Sequence, residues 1–212
     1  MRACVQRSII APALPFAAIL LGLYLLHNAW AAILLYHLGM VLILALNRHA
    51  NPLGAVRSGW NPGAAAIAGV MCAASGLLFL LLWRTVSLDH MGLRTSLGDL
   101  GLSGTSWWVF SAYYVTVHPL LEEVYWRGYL ASGSRGPTWP DFTFAGYHVL
   151  VLVFFIKFPW TLAAFVALFT AAWSWRLLAM KRRGLAVPIL SHVAADLSIV
   201  LAAEHLARRG GL

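Results

Sequence analysis

A chain of 212 residues that is 61% hydrophobic and only 10% charged, with a mean hydropathy of +0.77, is excluded from the soluble domains, in which about 25% of residues are charged. It reads as a single integral membrane domain over residues 1–212, all-α, a transmembrane helix bundle; apolar runs of about 15 to 20 residues also exclude the short alternating strands of an outer-membrane barrel. Fifteen Lys and Arg against seven Asp and Glu leave a net charge of +8, but the basic residues sit between apolar runs, where they set topology, so no nucleic acid partner is expected.

Seven spans (six to eight) are expected in chain order, most near the ~20 residues that a bilayer core requires. The first, Ile9 to Leu26, follows Arg2 and Arg7 and exceeds the roughly 7 to 15 apolar residues of a signal peptide. It is therefore expected to be a retained helix, although Ala29-Trp30-Ala31 has the small residues of a cleavage site. The second span, Ala29 to Leu46, follows at once. Asn51-Pro52 and Asn61-Pro62-Gly63 then punctuate the chain before the third, Ala64 to Trp83. Gly98-Asp99 separates it from the fourth, Trp107 to Leu130, and a stretch from Ser132 to Pro137 precedes the fifth, Phe142 to Ile156. This fifth span is short and is expected to lie partly within protein. Phe158-Pro159 leads to the sixth, Trp160 to Met180, and Lys181-Arg182-Arg183 to the seventh, Leu185 to Ala203. Cys4 and Cys72 are isolated, which implies neither a disulfide framework nor a thiolate metal site. No repeat or linker to a second domain interrupts this order.

With the N-terminus inside, ten basic residues fall on the cytoplasmic side: Arg2, Arg7, Arg48, Arg57, Arg127, Arg135, Arg176, Lys181, Arg182 and Arg183. Five fall opposite, namely Arg84, Arg94, Lys157, Arg208 and Arg209, so a cytoplasmic N-terminus is expected. Trp107, Trp108, Trp139, Trp160, Trp173 and Trp175 lie near span ends, where indole rings suit the headgroup region.

The acids divide into two sets. Asp89, Asp99 and Asp141 are expected in loops and Glu204 at the C-terminal end, whereas Glu122, Glu123 and Asp196 fall inside apolar spans together with His148 and His192. A carboxylate there costs about 2.5 to 3.5 kcal/mol even on lenient insertion scales, so intramembrane ionisable residues are functional-site hypotheses by default. Counting from the span ends puts Glu122, His148 and His192 roughly 9 to 12 Å below one face. A shared polar cavity open to the cytoplasmic side follows from that agreement. His192 and Asp196 are spaced i,i+4, so Asp196 is expected to orient the imidazole. Glu123 and Arg127 are likewise i,i+4, while Glu122 points about 100° away and stays free to act as general base to a water.

Glu122-Glu123-Val124-Tyr125-Trp126-Arg127 fits Glu-Glu-x-x-x-Arg, Phe144 to His148 fits Phe-x-x-x-His, and His192 to Asp196 fits His-x-x-x-Asn/Asp. In these three motifs, in this order, the chain resembles the CPBP family (CAAX protease and bacteriocin-processing, or Abi) of intramembrane glutamic endopeptidases. The resemblance covers residues 107–203, the expected catalytic core; spans one to three carry no matching motif. It implies that Glu122 and His148 activate the attacking water, that His192 and Asp196 stabilise the oxyanion, and that Glu123 and Arg127 shape the site. Better-studied members have Asn at the last position; ionised Asp cannot donate to an oxyanion, so Asp196 is expected to act through His192. The substrate so implied is a membrane-anchored protein or peptide, cut near its C-terminus, and the lack of organelle signals points to a bacterial inner membrane.

Other readings use the same residues. Glu122, His148 and His192 would make a zinc set, giving a metal-dependent form of the same protease, but no His-Glu-x-x-His helix is present, so no cofactor is expected. Gly101-Leu102-Ser103-Gly104 resembles the Gly-x-Ser-Gly of rhomboid proteases and reads more simply as a turn. The polar residues could instead glue helices in a non-enzymatic immunity or scaffold protein. His27, His37, His49, His90, His118 and His205 take packing or surface roles, with His118-Pro119, one turn before Glu122, set apart as the candidate exception. Pro119, one turn before Glu122, is expected to disturb the fourth span and open space beside the glutamates.

Overall fold

A computed structural model describes residues 10–47, 52–88 and 92–209. Arg2, Cys4, Arg7, Ile9, Arg48, His49, Asn51, Asp89 and His90 lie outside them. Among the described residues the chain forms helices and no strand. In order they are α1 (Ala11–Ile19), α2 (Ala29–Leu46), α3 (Pro52–Arg57), α4 (Pro62–Val86), α5 (Leu93–Asp99), α6 (Gly104–Glu122), α7 (Trp139–Leu152), α8 (Phe158–Arg182) and α9 (Ala186–Arg209).

Local chemistry explains the starts. Asn28 Oδ1 accepts from the Ala31 N–H at 2.9 Å and Asn61 Oδ1 from the Ala64 N–H at 2.8 Å, each satisfying an orphan donor of the first turn of α2 or α4. Both helices with an interior proline pass into a wider π turn soon after it. Pro15 in α1 precedes a π-helical segment Leu20–Leu25, and Pro119 in α6 precedes Glu123–Tyr129. In that second segment the Leu130 N–H bonds the Tyr125 carbonyl at 2.9 Å, five residues back. Proline removes one rung of the ladder, and the chain re-registers by an i→i+5 turn of a kind common at functional sites.

Among the described residues all seven expected apolar segments are largely helical, but only α2, α4, α8 and α9 are long and apolar enough to cross a membrane. Ala11–Leu25 is a shorter apolar helix. At 14 residues, α7 extends about 21 Å, short of the ~30 Å hydrocarbon core. Its C-terminal end is closed against α4: the Lys157 N–H bonds the Val86 carbonyl at 2.8 Å, and the Leu88 N–H bonds the Phe155 carbonyl at 2.9 Å.

Of these helices, α4 is the most outlying, with 11% of its apolar window buried, and α9 is its main support. Gly76 makes that approach feasible: a Cβ there would lie 2.3 Å from the Ser198 carbonyl oxygen, and the Gly76 N–H instead bonds Ser198 Oγ at 3.1 Å. The other helices surround a core that includes Tyr36, Met40, Tyr125, Trp126, Phe144, Tyr147 and Trp175.

Two expectations about charge are corrected. Asp141 is not in a loop but in the first turn of α7, buried and paired with Arg176 at 2.8 Å. Arg127 and Arg176 are both buried in ion pairs with acids, so two of the ten basic residues counted as cytoplasmic measure no loop charge.

Candidate active site

The junction of α6 with its π turn supplies Glu122, Glu123 and Arg127; α2 supplies Tyr36 and His37, α7 Tyr147 and His148, and α9 His192 and Asp196. The three segments expected at a common depth do meet: His192 Nε2 is 3.7 Å from Glu122 Oε2, and Tyr147 bonds Glu122 Oε1. Glu122 and Glu123 are fully buried.

Contrary to expectation, Glu122 is firmly held at one oxygen. Its Oε1 accepts from Tyr36 Oη at 2.6 Å, from Tyr147 Oη and, more weakly, from Trp126 Nε1 at 3.3 Å. The Trp126 N–H also bonds Tyr36 Oη at 2.8 Å, locking that hydroxyl in place. Glu122 Oε2 accepts no hydrogen bond from the described residues. It faces His118 Nε2 at 3.4 Å and His192 Nε2 at 3.7 Å, both beyond the usual 2.7 to 3.2 Å of an N–H···O bond. Three donors on one oxygen leave the lone pairs of the other for chemistry.

Glu123 takes the role expected of Asp196. His192 Nδ1 lies 2.9 Å from Glu123 Oε1, whereas Asp196 Oδ1 is 3.8 Å from His192 Nε2 and Asp196 Oδ2 has no hydrogen-bond partner. The i,i+4 spacing brings Asp196 to the right face of α9, but Glu123 meets the ring nitrogen from the helix opposite. Arg127 closes on Glu123 at 3.1 Å as expected. Its guanidinium is 4.2 Å from the Phe144 ring centroid and 5.0 Å from that of Trp175, a cation–π placement in a desolvated site. Trp175 in turn stacks on His192 at 4.4 Å. Trp175 is therefore no headgroup anchor, and neither is Trp107, buried with its Nε1 2.7 Å from Glu204 Oε2; Trp108 and Trp139 are exposed as expected.

His148 belongs to the site but touches Glu122 through Tyr147. Its Nδ1 donates to the Phe144 carbonyl at 2.7 Å, which leaves Nε2 as an acceptor, 3.2 Å from Tyr147 Oη. Phe144, four residues earlier on α7, thus both sets the His148 tautomer and supports Arg127.

His37, assigned to packing, and His118, set apart with Pro119, are both part of this cluster. His118 faces Glu122 Oε2, and His37 Nε2 is 3.0 Å from His118 Nδ1. The i,i+4 spacing of His118 and Glu122 was a usable signal. Tyr36 and His37, on a helix without a motif, offered none. Ser103 is exposed at the start of α6, about 28 Å along the helix from Glu122, too far to act with these groups.

His118, His192 and Asp196 could hold a metal ion, each offering a ligand atom within 4.8 Å of the others. This is not the expected set: His148 has one nitrogen on a backbone carbonyl and the other against Tyr147. Below the site lies a cavity of about 290 Å³ with an almost wholly apolar lining. It runs from His118, Tyr147 and His148 to Leu93, Leu97 and Phe155 at the other end of the bundle, and so differs in lining and direction from the polar cavity expected towards Lys181–Arg183.

The family model for type II CAAX prenyl endopeptidase Rce1-like proteins matches residues 104–198. Over these residues the chain is similar to the Rce1-like family. The matched stretch starts at the first residue of α6 and ends two residues after Asp196, so it contains all three motifs; it thus excludes α1 and also α2, which brings Tyr36 to Glu122 and His37 to His118. No curated protein and no solved structure gives a significant match. The Rce1-like match and the four apolar helices carry one coarse class, a protease integral to the membrane.

Proposed function

We propose that the protein is an intramembrane glutamic endopeptidase that hydrolyses a peptide bond near the C-terminus of a membrane-anchored protein or peptide. The observation that carries this reading is the asymmetry of Glu122, with Oε1 saturated by Tyr36, Tyr147 and Trp126 and Oε2 unbonded beside two imidazoles. In the proposed reaction a water, accepted in part by His148 Nε2, gives a proton to Glu122 Oε2 while its oxygen attacks the scissile carbonyl carbon. With Nδ1 on Glu123, a doubly protonated His192 still has an Nε2–H to donate to the tetrahedral oxyanion, and three carboxylates surround that charge. Collapse breaks the C–N bond, and the proton on Glu122 passes to the leaving amine. Asp196 balances charge in this scheme and donates nothing.

The apolar cavity suits the anchored, apolar part of such a substrate, and the enclosing bilayer is proposed to be a bacterial inner membrane with the N-terminus cytoplasmic. The reaction as proposed uses no metal. An ion held by His118, His192 and Asp196 would supply a Lewis acid at the same place, so metal content and activity after chelation distinguish the two forms. A cleavage assay on membrane-anchored C-terminal tails in vesicles tests the reading itself. Wild type is expected to cut and Glu122→Gln to be inactive while inserting normally; equal cleavage by both refutes it.

A further inference from the structure

The hydrolytic reading uses Glu122, His148 and His192 but leaves a line of three buried or half-buried groups without a task. Tyr113 Oη is 2.7 Å from His37 Nδ1, His37 Nε2 is 3.0 Å from His118 Nδ1, and His118 Nε2 is 3.4 Å from Glu122 Oε2. His37 and His118 are both buried, and their ring centroids lie 5.3 Å apart, the spacing of two imidazoles joined edge to edge by that bond; the Tyr114 ring stacks on His118 at 4.6 Å.

Hydrogen-bond chemistry gives this line one direction. An ionised carboxylate oxygen only accepts, so the ring nitrogen facing Glu122 Oε2 is favourable as an N–H and repulsive as a lone pair. With its hydrogen on Nε2, neutral His118 has an acceptor at Nδ1. That acceptor requires an Nε2–H on His37, whose Nδ1 then accepts from the Tyr113 hydroxyl. One proton per link satisfies every group, whereas the reverse order sets two lone pairs against each other at Glu122.

We propose that His37 is a positioning residue of the active site: by donating to His118 Nδ1 it fixes the His118 tautomer that aims an N–H at Glu122 Oε2. This inference rests on the hydrolytic reading for its consequence, because an N–H facing Oε2 at 3.4 Å, in place of a lone pair, favours the carboxylate that accepts the proton of the water. It also assigns a role to α2, which lies outside the matched family region. Partners that set the tautomer of a metal-binding histidine in this way are worth on the order of 10- to 100-fold in activity, and the same scale is expected for His37.

The test is ¹⁵N NMR of histidine-labelled full-length protein in lipid nanodiscs, with the His118 ring assigned by its disappearance in His118→Gln. Wild type is expected to show protonated Nε2 and unprotonated Nδ1 at His118. Glutamine at position 37 keeps a donor where His37 Nε2 stood, so His37→Gln should preserve that pattern and most of kcat; His37→Phe should mix the two tautomers and lower kcat on the order of 10- to 100-fold with little change in KM. If His37→Phe does not fold, His37→Asn, too short to reach His118, takes its place with the same expectation. A His118 protonated at Nδ1 in wild type, the arrangement a metal ligand bound through Nε2 would need, overturns the proposal. So does an unchanged tautomer in His37→Phe, or a mixed one in His37→Gln. The spectra need no turnover, so failure of the hydrolytic reading appears separately, as equal cleavage by wild type and Glu122→Gln.

Discussion

Two clusters of buried charge lie in this bundle, and they are built on opposite plans. Around Asp141, Arg176 donates from Nε and Nη2 at 2.8 to 3.1 Å, and the Thr138 N–H and hydroxyl each donate at 2.8 Å. The remaining Arg176 donors close on the backbone carbonyls of Ser134 and Gly136, and neither side chain of the pair leaves a buried polar atom unbonded. Around Glu122, Glu123 and Asp196, by contrast, one oxygen of each carboxylate has no hydrogen-bond partner among the described residues, and both Arg127 terminal nitrogens make only looser contacts. A saturated cluster clasps a loop to two helices. An unsaturated one retains the desolvation cost of its atoms, and in the proposed reaction a substrate and its water complete the bonding.

The contrast is open to attack from both sides. Breaking the saturated cluster with Arg176→Met strands the buried Asp141 carboxylate and should lower stability by about 3–5 kcal/mol, read as thermal unfolding in detergent, with cleavage per folded molecule retained; adding Asp141→Asn should restore part of the loss. Glu122→Asp withdraws the carboxylate from Tyr36 and Tyr147 by about one methylene, and a displacement near 1 Å should lower kcat on the order of 10²-fold, measured on a membrane-anchored tail peptide. Tyr36→Phe removes one charge-assisted bond from Oε1, and a loss of about tenfold in kcat is expected because Tyr147 and Trp126 remain. Ser103→Ala, remote from the cluster, should leave the rate within about twofold.

The sequence made the matched half legible because each of its motifs is a short spacing on one helix. Glu123 with Arg127 and His118 with Glu122 are four apart, so a helix alone brings them together. What it hid were contacts between helices. Tyr36, His37 and Trp175 reach the site only through the packing of α2 and α8, and no periodicity marks which ring of an apolar helix will meet a carboxylate. Glu123 was hidden for the same reason: i,i+4 spacing set Asp196 beside His192 Nε2, at 3.8 Å, but only the packing of the opposing helix brings Glu123 within 2.9 Å of His192 Nδ1. Asp141 and Arg176, 35 residues apart, each read as surface charge until the fold paired them. The number of crossing helices was obscured by apolarity itself, since α7 carries the composition of a span over too short a length.

Measuring initial cleavage rate and thermal midpoint on the same reconstituted preparations of wild type, Glu122→Gln and Asp141→Asn tests the central claim most directly. Glu122→Gln should lose cleavage and keep its midpoint, and Asp141→Asn should lose thermal stability and keep cleavage per folded molecule. Cleavage by Glu122→Gln at the wild-type rate, or a fall of rate and midpoint together in both variants, would contradict the assignment of Glu122 as the hydrolytic base.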